Sequence, residues 1–483
     1  MLFNTIPFGF FALIVFGLYY LPLLRRWQAP VLVLASFVFY GWSAPWLLSL
    51  LVFCIALNAM TSFLVAKSPP AKMWTPAALG VVLNLAMLCV FKYASLFRPV
   101  VPSAAGALWT LVHLPLPIGI SFFTFEGISL LVDSLRARRQ NGERPAFVPT
   151  GFRDHLANTS LFIAFFPHLI AGPILKARQF VPQIARPKLL SEIDWDLAIE
   201  SLILGFFLKT VLADNLKDYT QAMSFPAYRS LSGGTAAFLV FGYAMQIFAD
   251  FSGYSLIAIG LGALFGYRLP QNFNWPYIST SLSDFWRRWH ISLSSWLRDY
   301  LYISLGGNRR GEIRTYFNLI LVMALGGLWH GAALSYMVWG LFHGLGLAAE
   351  RRLFGKRLDH ERNAGREPRA MAYLLRVLGV FLFVSAGWIL FKLPDFAQAI
   401  EFVKILCHPA GGLDRSKVLP ILVFGLPVVF FHILHMPAMR SARRAEVSPV
   451  ARAIALRASF YGVLLFAVLT SGGSVGEFIY FQF

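Results

Sequence analysis

Charge is what this sequence is short of: only 13% of its 483 residues are Asp, Glu, Lys or Arg. A soluble globular chain carries about 25%, so a fully solvated fold is excluded. Acidic residues are scarcest, 23 Asp and Glu against 42 Lys and Arg. The three cysteines, Cys54, Cys89 and Cys407, stand apart in apolar surroundings. They make no metal-spaced pair and no disulfide framework, and read as core filler. HExxH and a phosphate-binding GxxxxGK[ST] loop are both absent. Zinc-protease and nucleoside-triphosphatase readings therefore have no support. No repeat of fixed period and no low-complexity tract is visible.

What is abundant is apolar sequence. Hydrophobic residues make up 57% of the chain, and they recur in blocks of roughly 20, the length that crosses a bilayer as a helix. The candidate spans are Phe8–Leu24, Pro30–Ser43, Trp46–Val65, Met73–Phe91, Leu108–Val132, Trp195–Leu212, Thr235–Phe265, Tyr316–Ala333, Leu334–Ala349, Met371–Phe391, Val418–His432 and Phe460–Ser471. This predicts an all-α, polytopic transmembrane bundle of about 11–12 spans, one membrane-embedded unit over residues 1–483. Met1 to Pro7 has no basic stretch, and the first run ends at Arg25 and Arg26 without a small-residue cleavage site. It reads as an uncleaved first span.

The net charge of +19 would suit nucleic acid, but its distribution points elsewhere. With the N-terminus outside and each span crossing once, the inner loops hold 33 of the 42 Lys and Arg. The positive-inside rule explains such a bias. It places both termini outside and implies membrane lipids, not nucleic acid, as the partner of the basic surface.

Two segments depart from simple crossing. Leu156 to Leu175 has basic flanks at both ends (Arg153; Lys176 and Arg178) and holds Pro167, His168, Gly172 and Pro173. Proline and glycine break helices, so a re-entrant hairpin fits, a kinked span being the alternative. Asn274 to Gly311 is too charged to cross. A helix starting at Ser283 and Asp284 would carry an aromatic stripe of Phe285, Trp289, Leu293, Trp296 and Tyr300, as expected of an amphipathic helix at or under the inner interface. On a continuous helix His290 would share a stripe with Trp286, Leu293 and Leu297, ending at Gly306-Gly307-Asn308.

The candidate chemistry centres on residues 245–345. His330 lies in the apolar run Tyr316 to Gly344 beside Gly326, Gly327 and Gly331. An ionisable group at that depth marks a substrate or proton pathway by default, the alternative being a packing histidine bonded to a neighbouring helix. Glycines let a backbone or a thin substrate chain come close. A neutral imidazole can take a proton from a hydroxyl and return it to a leaving group. His290 reads as a polar interfacial residue or a second functional histidine. Arg287, Arg288, Arg298, Arg309, Arg310 and Arg314 would suit a multiply charged phosphate ligand or lipid headgroups. Asp250, Glu126 and Asp133 are carboxyls at depth that orient a partner or pin helices. His168 and His343 read as packing groups.

Taken together, LPIGISFFTFEGISLLVDSLR, FFPHLIAGPIL, DFSGYSLIAIG, FWRRWHISLSSWLRDYLYISLGGNRRG, GGLWHGAALSYMVWGLFHG and the closing FIYFQF closely resemble the membrane-bound O-acyltransferase family, in its bacterial alginate O-acetyltransferase-like branch. The resemblance implies that His330 is the essential histidine and His290 the second. It implies a tunnel joining a cytoplasmic acyl-thioester site to an outer pocket in the bacterial inner membrane. It also implies a periplasmic acetyltransferase partner protein and a polysaccharide acceptor. Acetyl-CoA or another acyl thioester would be the donor substrate, with no tightly bound cofactor and no metal. The expected substrate contacts are Arg287, Arg288, Trp289, Arg298, Asp250 and Trp329, with His330 and His290 catalytic. Leu256, His168 and Ser304 stand where the family often has Asp, Gln and Pro. The rival reading is a polytopic transporter or flippase for a sugar or lipid precursor. The absence of duplicated motifs counts against it.

Overall fold

The computed structural model describes the backbone of all residues except 43, 171, 364–368, 409–410, 437–449, 475, 477 and 479–483. It describes the side chains of all but these and 99, 104, 356, 359, 362–363 and 450–455. Much of the expected inner loop from Arg440 to Arg457, and all but Phe478 of the closing FIYFQF, lie outside the described residues. The chain is all-α: among the described residues every regular element is helical.

Among the described residues, five helices are long and apolar enough to cross a membrane: Leu47–Lys67, Trp74–Arg98, Gly233–Leu264, Ala370–Lys392 and Arg415–Leu434. Ile6–Tyr20 and Pro22–Gly41 form a sixth candidate, bent by 94° at Leu21. Of the remaining expected spans, Tyr316–Ala333, Leu334–Ala349 and Phe460–Ser471 fall on the continuous helices Glu312–His330, Leu334–Asn363 and Val450–Thr470, and two others are split or irregular. Leu108–Val132 is split into Ala107–Val112 and Ile120–Asn141. Trp195–Leu212 starts as an α-helix and passes into the π-helical turns Phe207–Ala213. Leu156–Leu175 makes no continuous crossing helix. Phe152–Ala164 stops at Phe165, and Phe166–Leu169 is a single turn with proline in its first two positions. Leu161 to Phe166 are fully buried in protein, where irregular backbone at membrane depth is tolerated.

The chain packs as two compact units. The first comprises Met1–Leu202 and Tyr254–Pro270, the second Ile203–Gly253 and Gln271–Phe483. In the first, Leu47–Lys67, Trp74–Leu88 and Ile120–Asn141 pack together around a polar clasp. Asn58 Nδ2 donates to Asn84 Oδ1 at 3.1 Å, and Asn84 Nδ2 returns a bond to Asn58 Oδ1 at 2.9 Å. Side-chain amides bonded across helices are the usual glue where lipid offers no hydrophobic drive.

In the second unit, Glu312–His330 and Leu334–Asn363 run antiparallel, joined by three residues. Their contact is backbone on backbone. A Cβ on Gly327 would fall 2.1 Å from the Tyr336 carbonyl oxygen, and one on Gly340 would fall 2.2 Å from that of Met323. Small residues allow such approach, and it leaves the helix pair little freedom to slide. The pair holds His330 at its closed end.

Candidate active site

The segment expected as one amphipathic helix is broken, and the break is at His290. Leu282–Arg288 is capped by Ser281, whose Oγ accepts from the Asp284 amide at 3.0 Å. The start is thus two residues earlier than the Ser283–Asp284 signal suggests. Trp289 is extended, and His290 takes a left-handed conformation with φ 43° and ψ 55°. Ile291–Trp296 then begins a second helix. A left-handed non-glycine residue costs about 1–3 kcal/mol and persists only where its surroundings fix it. Here they do. The Ile291 amide donates to the Asn272 carbonyl, and the Asn274 amide to that of Arg288, both at 2.9 Å. The residues of the expected stripe, Phe285, Trp289, Leu293, Trp296 and Tyr300, are all buried. The break takes His290 out of the stripe that it would share with Trp286, Leu293 and Leu297 on a continuous helix.

Among the described residues, the rings of Trp329, Trp339 and Phe391 pack against the essential-histidine candidate. The His330 ring centroid lies 5.1 Å from Trp329, 5.2 Å from Trp339 and 5.4 Å from Phe391. His290 is 6.3 Å away and 5.8 Å from Trp329. The two candidate catalytic histidines are therefore neighbours, although 40 residues separate them in sequence.

A cavity of about 350 Å³ reaches His330. It follows one face of Glu312–His330, through Leu319, Val322, Met323 and Gly326, a run of about 16 Å at 1.5 Å per residue. At the level of Leu319 and Leu347 its wall includes Ser283 and Arg287; at the other end stand His330 and Trp339. Arg298, Ser294, Ser295 and Tyr302 complete the polar lining. Of the glycines around His330, only Gly326 faces this space. A Cβ there would meet one atom, Leu297 Cδ1, at 3.0 Å, whereas one on Gly331 would strike the Tyr336 ring at 2.2 Å. Gly327 and Gly331 serve packing, and Gly326 is the one of the three that lines the cavity.

Glu350 secures the arginine end. Its carboxylate accepts from the backbone amides of Leu282 and Ser283, at 2.5 and 2.9 Å. It thereby holds the positive end of the helix that carries Arg287. Burial pushes the Glu350 carboxyl above its ordinary range, and the two amides pull it back.

Not every expected contact is here. Arg288 donates to Asp284 Oδ2 at 3.0 Å and to the Asn274 carbonyl at 3.3 Å, outside the cavity wall. Trp289 is 1% exposed, packed on Phe285, Phe273 and Trp388. Asp250 lies 2.7 Å from Lys209 Nζ, which is also 2.7 Å from Asp214. This is a buried ion cluster that pins helices. For Arg288, Trp289 and Asp250, the expected direct substrate contact has no counterpart among the cavity-lining residues. Trp329 is buried between the two histidines and does not line the cavity either. Among the described residues no cluster of His, Cys, Asp or Glu could hold a metal ion.

Sequence reasoning missed Asn272, Lys209, Asp214 and Trp339. Lys209 had a usable signal, being a cation inside an apolar run. Asn272 had none, because only folding brings it to His290.

The family model for the membrane-bound O-acyltransferases matches residues 34–355. "Probable alginate O-acetylase AlgI" of Pseudomonas aeruginosa is 40% identical over 412 residues, which is 83% of this chain and 73% of that protein. The Pseudomonas putida protein of the same name is 35% identical over 516 residues, covering all of both chains. The peptidoglycan O-acetyltransferase of Helicobacter pylori is 35% identical over 441 residues, 84% of this chain and 81% of that one. The matched region holds both histidines and the cavity that reaches His330. The chain belongs to the membrane-bound O-acyltransferase family and is a multi-pass membrane O-acyltransferase.

Proposed function

We propose that this protein moves an acetyl group from a cytoplasmic thioester donor to a hydroxyl of an exported polysaccharide, directly or through a periplasmic partner acyltransferase. The observation that carries this reading is one cavity lined by both Arg287 and Arg298 and by His330. A donor such as acetyl-CoA would set its phosphates against Arg287 and Arg298, which can bind them bidentately. Its pantetheine arm would run along Leu319, Met323 and Gly326. The thioester carbonyl would then come to His330.

At that end the acceptor oxygen attacks the carbonyl carbon. His330 takes the hydroxyl proton as the C–O bond forms and gives it to the sulfur as the C–S bond breaks. The acceptor leaves acetylated and the donor leaves as a free thiol. His290 lies close enough to share in holding the acceptor. The basic inner loops favour the bacterial inner membrane with both termini outside. Relatives named for alginate and peptidoglycan acetylation favour a polysaccharide acceptor. The transporter reading has no specific observation in its favour.

Purified protein given radiolabelled acetyl-CoA and acceptor polysaccharide tests this. His330→Ala should lose about 10²–10⁴ of the transfer rate, the contribution of a general base. Transfer at the wild-type rate by a normally folded variant would refute the assignment.

A further inference from the structure

The amide of Asn272 decides which nitrogen of His290 carries its proton. Asn272 Oδ1 receives three contacts: the Ser292 backbone amide at 3.3 Å, Ser292 Oγ at 2.9 Å and His290 Nδ1 at 3.0 Å. A backbone N–H can only donate, so the Asn272 atom facing this group is the oxygen and not the amide nitrogen. An amide oxygen can only accept. His290 Nδ1 must therefore bear hydrogen, and in the neutral ring Nε2 is then the nitrogen with the lone pair. The arrangement is held from several sides. His290 is fully buried, its backbone is left-handed, and Phe251 packs edge-on to its ring at 4.6 Å.

We propose that Asn272 is a positioning residue that locks His290 as its Nδ1–H tautomer, making it a hydrogen-bond acceptor at Nε2. At 6.3 Å from His330, an acceptor nitrogen suits the O–H of the incoming alcohol. It does not suit the thioester carbonyl, which needs a donor. His290 is buried beside His330 and is not among the residues that line the cavity; on the acyl-transfer reading it takes the alcohol's O–H once the alcohol has reached His330, which takes the proton. This assignment of roles rests on the acyl-transfer reading; the tautomer does not.

Two measurements test it on the intact chain. Nitrogen-15 solid-state NMR of histidine-labelled protein in lipid, with a His290→Gln sample to identify the signal, reads the tautomer directly. The wild type should show a protonated Nδ1 and an unprotonated Nε2, and Asn272→Leu should lose that preference. A wild-type Nε2–H, or an unchanged Asn272→Leu spectrum, would overturn the proposal. Acetyl transfer from acetyl-CoA reads the consequence. Asn272→Leu should lower kcat about 10–100-fold, the range for a lost orienting partner, with KM for acetyl-CoA little changed. Asn272→Asp can accept all three bonds and should restore most of kcat. Its added negative charge stabilises the imidazolium, so the acid limb of the pH profile should move to higher pH. Wild-type kcat in Asn272→Leu, or an unmoved profile in Asn272→Asp, counts against it. A fully active His330→Ala protein would remove the general base and leave the NMR result untouched.

Discussion

His168 in the first unit and His330 in the second are both buried, both in apolar sequence and both next to helix-breaking residues. They differ in what surrounds the ring. His168 Nδ1 lies 3.2 Å from Glu126 Oε1, and its Nε2 donates to the Phe162 carbonyl at 3.2 Å. Glu126 in turn accepts the Leu175 amide at 3.1 Å. That histidine staples the interrupted Leu156–Leu175 block, and its bonds are made within the protein. His330 instead lines a cavity of about 350 Å³. Depth and ionisability are common to both. Of these two histidines, His330 is the one that lines the cavity.

The comparison can be broken in several ways. The largest effect is expected at the buried ion cluster. Lys209→Met would leave Asp214 and Asp250 facing each other without their cation. Removing one partner of a buried pair costs about 3–5 kcal/mol, so the protein should be recovered poorly and melt early. Near-normal thermal stability in detergent would show that the cluster does not pin the second unit.

Next come two adjacent glycines that the sequence cannot tell apart. Gly327→Ala forces a methyl onto the Tyr336 carbonyl and should cost about 1–3 kcal/mol, the range for overpacking. Gly326→Ala meets only the tip of Leu297. It should leave the melting temperature close to wild type while slowing acetyl transfer, because its methyl enters the cavity. The reverse pattern would mean that the cavity is not the donor path.

A smaller effect is expected at the arginine end. Arg287 and Arg298 are 51% and 64% exposed, so water screens them and their grip on a phosphate is moderate. Replacing both by Ala should raise KM for acetyl-CoA about tenfold, roughly 1.4 kcal/mol, with kcat little changed. An unchanged KM would move the phosphates elsewhere.

Much of this was legible in the sequence, and the limits have physical causes. Helix positions followed from apolar run length, and the break in Leu156–Leu175 from Pro167, His168 and Gly172. The aromatic stripe was found because helical periodicity survives on both sides of His290. The break at His290 itself was not, since nothing in RRWHISLS marks a left-handed residue; the hydrogen bonds that impose it come from Asn272 and Asn274. Run length alone also counted the bent pair at Leu21 and the split at His113–Gly119 as plain crossings. The histidine pair was proposed from residue chemistry and family resemblance. Its 6.3 Å approach depends on tertiary packing. Asp250 was seen as a carboxyl needing a partner, and Lys209 supplies one from a π-helical turn that shifts its side-chain register.

One assay bears most directly on the contrast between the two histidines. Initial rates of transfer from radiolabelled acetyl-CoA should be measured side by side for wild type, His168→Gln and His330→Ala, each at equal amounts of folded protein. His168→Gln should stay within about threefold of wild type and pay in thermal stability, while His330→Ala should fall by at least about 10². A His330→Ala rate no lower than that of His168→Gln would contradict the account.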